Sequence, residues 1–190
     1  MTTVVLFHHV LGLTPGVAEL AERLREGGHT VHTPDLYAGH TFATILEGIE
    51  FSKALDTDAL SDAAVADLPA HVVYAGISMG GGQAQRFAQT RPGARGAVLL
   101  ETCFPITGEW SFGPWPDGVP AQIHGMDDDE FFAHEGDLDS ARELVASGAD
   151  AELFLYPGDV HLFEDSSLPQ YDAKATDLLV ERVLAFLDRV

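Results

Sequence analysis

A serine set among glycines, a histidine in a late loop and a run of aspartates between them are the residues here suited to acyl transfer. Gly76-Ile77-Ser78-Met79-Gly80-Gly81 stands where an apolar strand gives way to a helix. A G-x-S-x-G at such a junction makes a strained turn that lifts the serine hydroxyl above the strand end. The Met79 amide then points toward the oxyanion that an attacked carbonyl develops. The bland reading is a glycine-rich turn that merely packs closely; the strand–turn–helix setting favours the nucleophile.

A serine hydroxyl needs a base at neutral pH. With such a turn the partners follow in the order nucleophile, acid, base. His161, in Tyr156-Pro157-Gly158-Asp159-Val160-His161-Leu162-Phe163, falls between the last expected strand and the last helix. The acid is expected after the fifth strand, in His124-Gly125-Met126-Asp127-Asp128-Asp129-Glu130-Phe131-Phe132. Three adjacent aspartates cannot all face one imidazole, and spacing alone leaves Asp127, Asp128 and Asp129 open.

The elements that must position these groups are legible as short apolar runs between helical stretches. Strands are expected at 3–7, 29–33, 71–77, 96–100, 119–124 and 152–156. Helices are expected at about 15–26, 45–55, 58–67, 79–90, 138–146 and 172–187, and a Gly-, Pro- and Trp-rich loop at 104–118. Strands apolar on both faces and separated by helices imply an α/β fold with a covered parallel sheet. Right-handed crossovers place all strand C-termini along one edge, where function should sit. One domain, 1–190, is expected, with a helical or irregular lid-like segment at about 37–68.

Composition narrows the function classes. The chain has 190 residues, 46% of them hydrophobic and 21% charged, which is a globular balance. Ten Lys+Arg against thirty Asp+Glu give a formal net charge of −20. Such a surface repels phosphate backbones and anionic membranes, so neither nucleic acid nor membrane is an expected partner. The single cysteine, Cys103, can form no intrachain disulfide. Met1 leads directly into an apolar strand without a basic segment or a cleavage site, and a cytoplasmic, soluble protein is expected. Oligomeric state is not readable.

At this point the chain resembles the dienelactone hydrolase family of α/β-hydrolases over nearly its whole length. Phe7-His8-His9-Val10-Leu11-Gly12-Leu13 is similar to the family's first-strand loop, and Thr33-Pro34-Asp35-Leu36-Tyr37-Ala38 to its P-D-L-Y/F segment. The elbow and the histidine loop match as well. The resemblance implies a minimal α/β-hydrolase fold: six parallel strands in the order 2-1-3-4-5-6 with helices on both faces. It also implies a catalytic triad of Ser78, Asp129 and His161, with Asp128 as the alternative acid and Asp127 third. The oxyanion hole would use the backbone amides of Val10 and Met79, and no cofactor or metal is implied.

Three features depart from the prototype. Ser78 replaces its cysteine, His9 stands where it has an activating glutamate, and Glu164 and Asp165 follow the base where an arginine is expected. Ordinary ester hydrolysis is therefore expected, with a small neutral ester, lactone or thioester as substrate and anionic substrates disfavoured. His9, Tyr37, Trp110 and Trp115, the last two flanking Phe112, are expected to line the substrate pocket. His8 is read as a packed core histidine.

Two other functions compete. Metal-assisted hydrolysis would use His8, His9, His124 and Asp127, Asp128 and Asp129, although no H-E-x-x-H spacing is present. A non-catalytic ligand-binding protein on the same fold would carry the same elements without turnover.

Overall fold

Strands and helices alternate along most of the computed structural model, which describes residues 1–190; two helices follow the second strand, and the fourth and fifth strands are joined by a loop. The strands are β1 (Thr3–Phe7), β2 (Thr30–His32), β3 (Val73–Ile77), β4 (Gly96–Leu100), β5 (Ala121–Met126) and β6 (Ala151–Tyr156). The helices are α1 (Pro15–Glu26), α2 (Ile45–Ser52), α3 (Thr57–Val65), α4 (Met79–Thr90), α5 (Asp137–Ala146) and α6 (Ala173–Arg189). All six strands pair in parallel in the order β2-β1-β3-β4-β5-β6, as the sequence predicts.

Alternation along the strands builds two cores. In β1, Val4 and Leu6 join a cluster capped by α1 and α6, through Leu20, Leu24, Leu179 and Val183. Val5 and Phe7 point the other way, into a cluster with Phe87 of α4 and Leu138 and Leu144 of α5. Period-2 side chains make this split inevitable once both faces are covered. Every residue of β3, β4 and β5 is buried, whereas the edge strands β2 and β6 are only partly so. Each Leu or Phe buried this way contributes about 1.5–3 kcal/mol.

Strand bounds differ from the expected ones where backbone geometry intervenes. β3 starts at Val73 rather than 71, because the chain turns through a Val72 N–H to Ala70 carbonyl bond. β5 is displaced toward the C-terminus of the expected 119–124, since Pro120 has no N–H to donate. It runs on to Met126, which pairs with Tyr156. That extension delivers the three aspartates to the sheet edge immediately after the strand.

Candidate active site

The elbow is shaped by what its glycines must avoid. A Cβ on Gly76 would lie 2.1 Å from the Gly80 carbonyl oxygen. One on Gly80 would lie 2.5 Å from the carbonyl oxygens of Phe7 and His8, and one on Gly81 2.1 Å from Thr102. α4 therefore starts hard against the ends of β1 and β4, and Ser78 is held at a φ of 50°. Only four non-glycine residues have positive φ: Ser78, Glu101, Leu162 and Ala38. The first three are gathered round one point, and strained backbone of this kind is held where the surrounding fold over-determines it.

The Ser78 hydroxyl lies 2.9 Å from His161 Nε2. On the other side of the ring, His161 Nδ1 donates to Asp129 Oδ2 at 2.7 Å. Asp129 is fully buried, and its second oxygen accepts the Phe131 N–H at 2.9 Å. Glu101, directly after β4, contributes another buried carboxylate 3.6 Å from the same Nδ1. Phe131 packs on the imidazole with centroids 4.8 Å apart.

The neighbouring aspartates have other tasks. Asp127 Oδ1 accepts the Gly158 N–H at 3.0 Å and so ties the end of β5 to the histidine loop. Asp128 is exposed and bonds to His134 at 2.8 Å, so the alternative acid does not reach His161. The choice that spacing left open is thus made by direction: only one of three successive side chains points inward.

Met79 follows the serine directly at the start of α4, and Val10 stands in the loop after β1. The helix-to-loop packing there is tight, since a Cβ on Gly48 of α2 would meet the Val10 carbonyl oxygen at 2.2 Å. Met79 Sδ accepts the Tyr37 hydroxyl at 3.3 Å.

A cavity of about 470 Å³ opens over Ser78 and His161, walled by Phe104, Phe112 and Phe131. Asp58, Glu135 and Asp137 also line it, with neither Lys nor Arg among its lining residues. Burial raises the Asp137 carboxyl to about 6, against the opposing effect of Thr102, the Cys103 amide and His161. A larger groove of about 670 Å³ lies between β2 and α3 and holds neither serine nor cysteine.

The pocket expected from the sequence is largely corrected. His9 is fully buried; its Nε2 donates to Asp165 at 2.8 Å and its Nδ1 accepts the Leu11 N–H at 3.2 Å. Tyr37 is buried beneath Met79 and meets Phe51 edge to face, so it supports the cavity without lining it. Trp110 is 75% exposed. Trp115 lies in a separate hollow, its indole N–H on the Val119 carbonyl at 2.7 Å. Of that loop only Phe104 and Phe112 reach the site. Phe131 and Glu101 were missed; their signal was position, two residues after Asp129 and one after β4.

Glu164 and Asp165 also stand elsewhere than expected. Both are buried behind the histidine loop. Burial raises Asp165, but hydrogen bonds from His9, Ser167 and Thr14 outweigh it and bring its pKa down to about 2. Burial instead pushes Glu164 up to about 8. The carboxylates that line the cavity are instead Asp58, Glu101, Glu135 and Asp137.

The residues proposed for a metal do not converge. His8 donates to the His9 carbonyl at 2.7 Å and accepts the Leu36 N–H at 3.1 Å, and burial lowers it to about 4. His124 bonds to the Tyr156 hydroxyl and Gln122, and burial takes it down to about 3. The one trio of donors within 4.8 Å is Glu101, Asp129 and His161, whose Nδ1 already donates to Asp129. Cys103 is buried, and burial pushes its thiol far above its ordinary range.

A family model described as the dienelactone hydrolase family matches residues 1–190. No curated protein matches the chain in sequence. Among solved structures, the fold is similar to a dienelactone hydrolase-like promiscuous phosphotriesterase from metagenomic libraries. The TM-score is 0.72 at 17% identity, over 100% of this chain and 86% of that one. A structure of metagenome-derived lipolytic enzymes gives 0.64 at 20% identity, over 100% and 94%. A thermostable esterase from Pseudomonas putida gives 0.67 at 17%, over 98% and 74%. At these identities the likeness carries the fold. No helix is long and apolar enough to cross a membrane.

Proposed function

Because this chain belongs to the dienelactone hydrolase family of ester-bond hydrolases, we propose that it cleaves small uncharged esters, lactones or thioesters through a serine acyl-enzyme. The observation that carries the reading is the linear relay from Ser78 through His161 to Asp129, at 2.9 and 2.7 Å.

In this reading His161 Nε2 takes the Ser78 proton as Oγ attacks the substrate carbonyl. The imidazolium that forms keeps its Nδ1–H on buried Asp129, which holds the ring in the productive tautomer and offsets its charge. The Met79 and Val10 amides receive the oxyanion, each donor worth about 3 kcal/mol of barrier. His161 returns the proton to the leaving alkoxide or thiolate. It then activates a water that releases the acyl group from Ser78. No step calls for a cofactor.

The cavity supports the substrate class. Three phenylalanines favour an apolar acyl or alkoxy group, and the carboxylates at its rim disfavour an anionic one. In this reading α2 and α3 are the lid-like segment of a single domain, with Asp58 of α3 reaching the rim. The test is a panel of neutral short p-nitrophenyl esters, lactones and thioesters, assayed on wild type and Ser78→Ala. Turnover by wild type, with a fluorophosphonate adduct on Ser78, is expected. Equal turnover by Ser78→Ala, or a folded wild type that takes no label, overturns the reading.

A further inference from the structure

Glu101 stands directly after β4 with a buried side chain and a φ of 56°. Its two oxygens accept the Leu162 N–H at 2.8 and 2.7 Å, and Oε1 accepts the Phe163 N–H at 3.3 Å. It thereby grips the two residues that follow His161, the first of which is itself at a φ of 62°. Its Oε2 is also 3.6 Å from His161 Nδ1, too long for a hydrogen bond but within ion-pair reach. Two carboxylates, from the ends of β4 and β5, face one ring nitrogen.

A loop anchor alone does not need a charge here. A glutamine oxygen accepts a backbone N–H as well, without a buried anion. Burial, Glu164 and Asp129 all push the Glu101 carboxyl well above the usual range, and the Leu162 and Phe163 amides pull the other way. The titratable groups facing it are Asp129 from the loop after β5 and His161 and Glu164 from the loop after β6. Asp137 of α5 acts on His161 from the cavity side. No lysine or arginine is among them, so the positive charge that suits a buried carboxylate at this point is the imidazolium of the reaction.

We propose that Glu101 is a second acid for His161, a positioning residue that shares the imidazolium charge with Asp129 and accepts the Nδ1–H hydrogen bond when the Asp129 bond is lost. The inference rests on the Ser78–His161–Asp129 reading above. It has a specific signature, because the two obvious replacements of Asp129 should behave differently. In Asp129→Ala the Nδ1–H is left free and has only a short gap to close toward Glu101. In Asp129→Asn the amide donates to Nδ1 and holds the ring in the wrong tautomer, with Glu101 shut out.

The test is kcat/KM on a neutral p-nitrophenyl ester for both variants, for Glu101→Gln, and for the Asp129→Ala/Glu101→Gln double variant, with melting curves to establish folding. Asp129→Asn is expected to lose about 10⁴-fold and Asp129→Ala only about 10- to 100-fold. Adding Glu101→Gln to Asp129→Ala should bring it down to the Asn level. Glu101→Gln alone should lower the midpoint of the acid limb of kcat/KM by about 0.5–1 pH unit, since the imidazolium loses one of its carboxylates. A purely structural Glu101 would change the melting temperature and leave that limb in place. Equal activity of Asp129→Ala and the double variant overturns the proposal. If Asp129→Ala does not fold, the acid limb of Glu101→Gln decides: superposition on wild type overturns it. Ser78→Ala, run alongside, separates the two levels, because retained turnover there removes the triad reading itself.

Discussion

The molecule contains two histidine–aspartate pairs of similar length, joined through opposite ring nitrogens, and only one is placed to do chemistry. His161 donates to Asp129 at 2.7 Å, and His9 donates to Asp165 at 2.8 Å. Both aspartates lie in loops that follow a strand, Asp129 close behind β5 and Asp165 farther beyond β6. They differ at the far nitrogen of each ring. In His161 it meets the Ser78 hydroxyl and the ring borders a cavity; in His9 it accepts the Leu11 N–H and the ring is sealed. A charge-assisted pair is thus a relay only when its outer atom is left to a nucleophile. With a backbone amide there, the same pair is a clasp, here between the first-strand loop and the segment before α6.

The largest effect should come from the open pair. Ser78→Ala or His161→Gln is expected to reduce kcat/KM by about 10⁴-fold or more, with the melting temperature nearly unchanged. Steady-state kinetics with a thermal melt checks both halves.

Breaking the sealed pair should give the opposite pattern. His9→Ala leaves the Asp165 carboxylate buried without its main donor. A loss of about 3–5 kcal/mol in urea unfolding is expected, while the folded fraction keeps its turnover rate within a few-fold of wild type. If turnover instead drops by about two orders of magnitude in fully folded protein, His9 belongs to the catalytic machinery.

Acid should separate the pairs from the rest of the core. Asp165 is ordinarily at 3.8 and is held at about 2, so its contribution to stability is present above about pH 4 and is lost as pH falls through 2. His8 and His124 lie at about 4 and about 3 against 6.5, so the unfolded chain takes up their protons first. Their contribution is present above pH 6.5 and declines as pH falls toward 4. Histidine ring NMR followed from about pH 7 to 5 should therefore show both rings still neutral where an ordinary imidazole has taken up its proton. A ring that titrates near 6.5 contradicts the assignment of both as neutral core groups.

The smallest effect concerns the cavity rim. A neutral ester should exceed an isosteric anionic one by about 10-fold in kcat/KM at low salt, with the ratio shrinking as salt screens Asp58, Glu135 and Asp137. A preference for the anionic ester at any ionic strength would show that another group meets the substrate.

Much of this was readable from the chain. The strands at 3–7 and 96–100 and the helix at 79–90 match to the residue, because apolar runs bounded by Gly and Pro leave little choice. The elbow was readable because its glycines are compelled by carbonyl contacts of 2.1–2.5 Å. The pocket was not. Trp110 and Trp115 have the composition of a lining and face elsewhere, since loop direction between 104 and 118 depends on long-range contacts such as Gln85 to Phe104. His9 has the composition of a site residue and sits in the clasp, because its partner Asp165 is 156 positions away.

By itself the sequence determined which elements form, that they make a parallel sheet, and which turn raises a serine at its edge. Those properties follow from local sterics and from apolar periodicity, which act over a few residues. The family resemblance already pointed to Asp129 among the three aspartates, but tertiary structure alone decided which histidine is sealed and that a glutamate at the end of β4 stands behind the imidazole. Those outcomes are set by where side chains from distant strands converge, and only the packing of the sheet brings them within a few ångströms of one another.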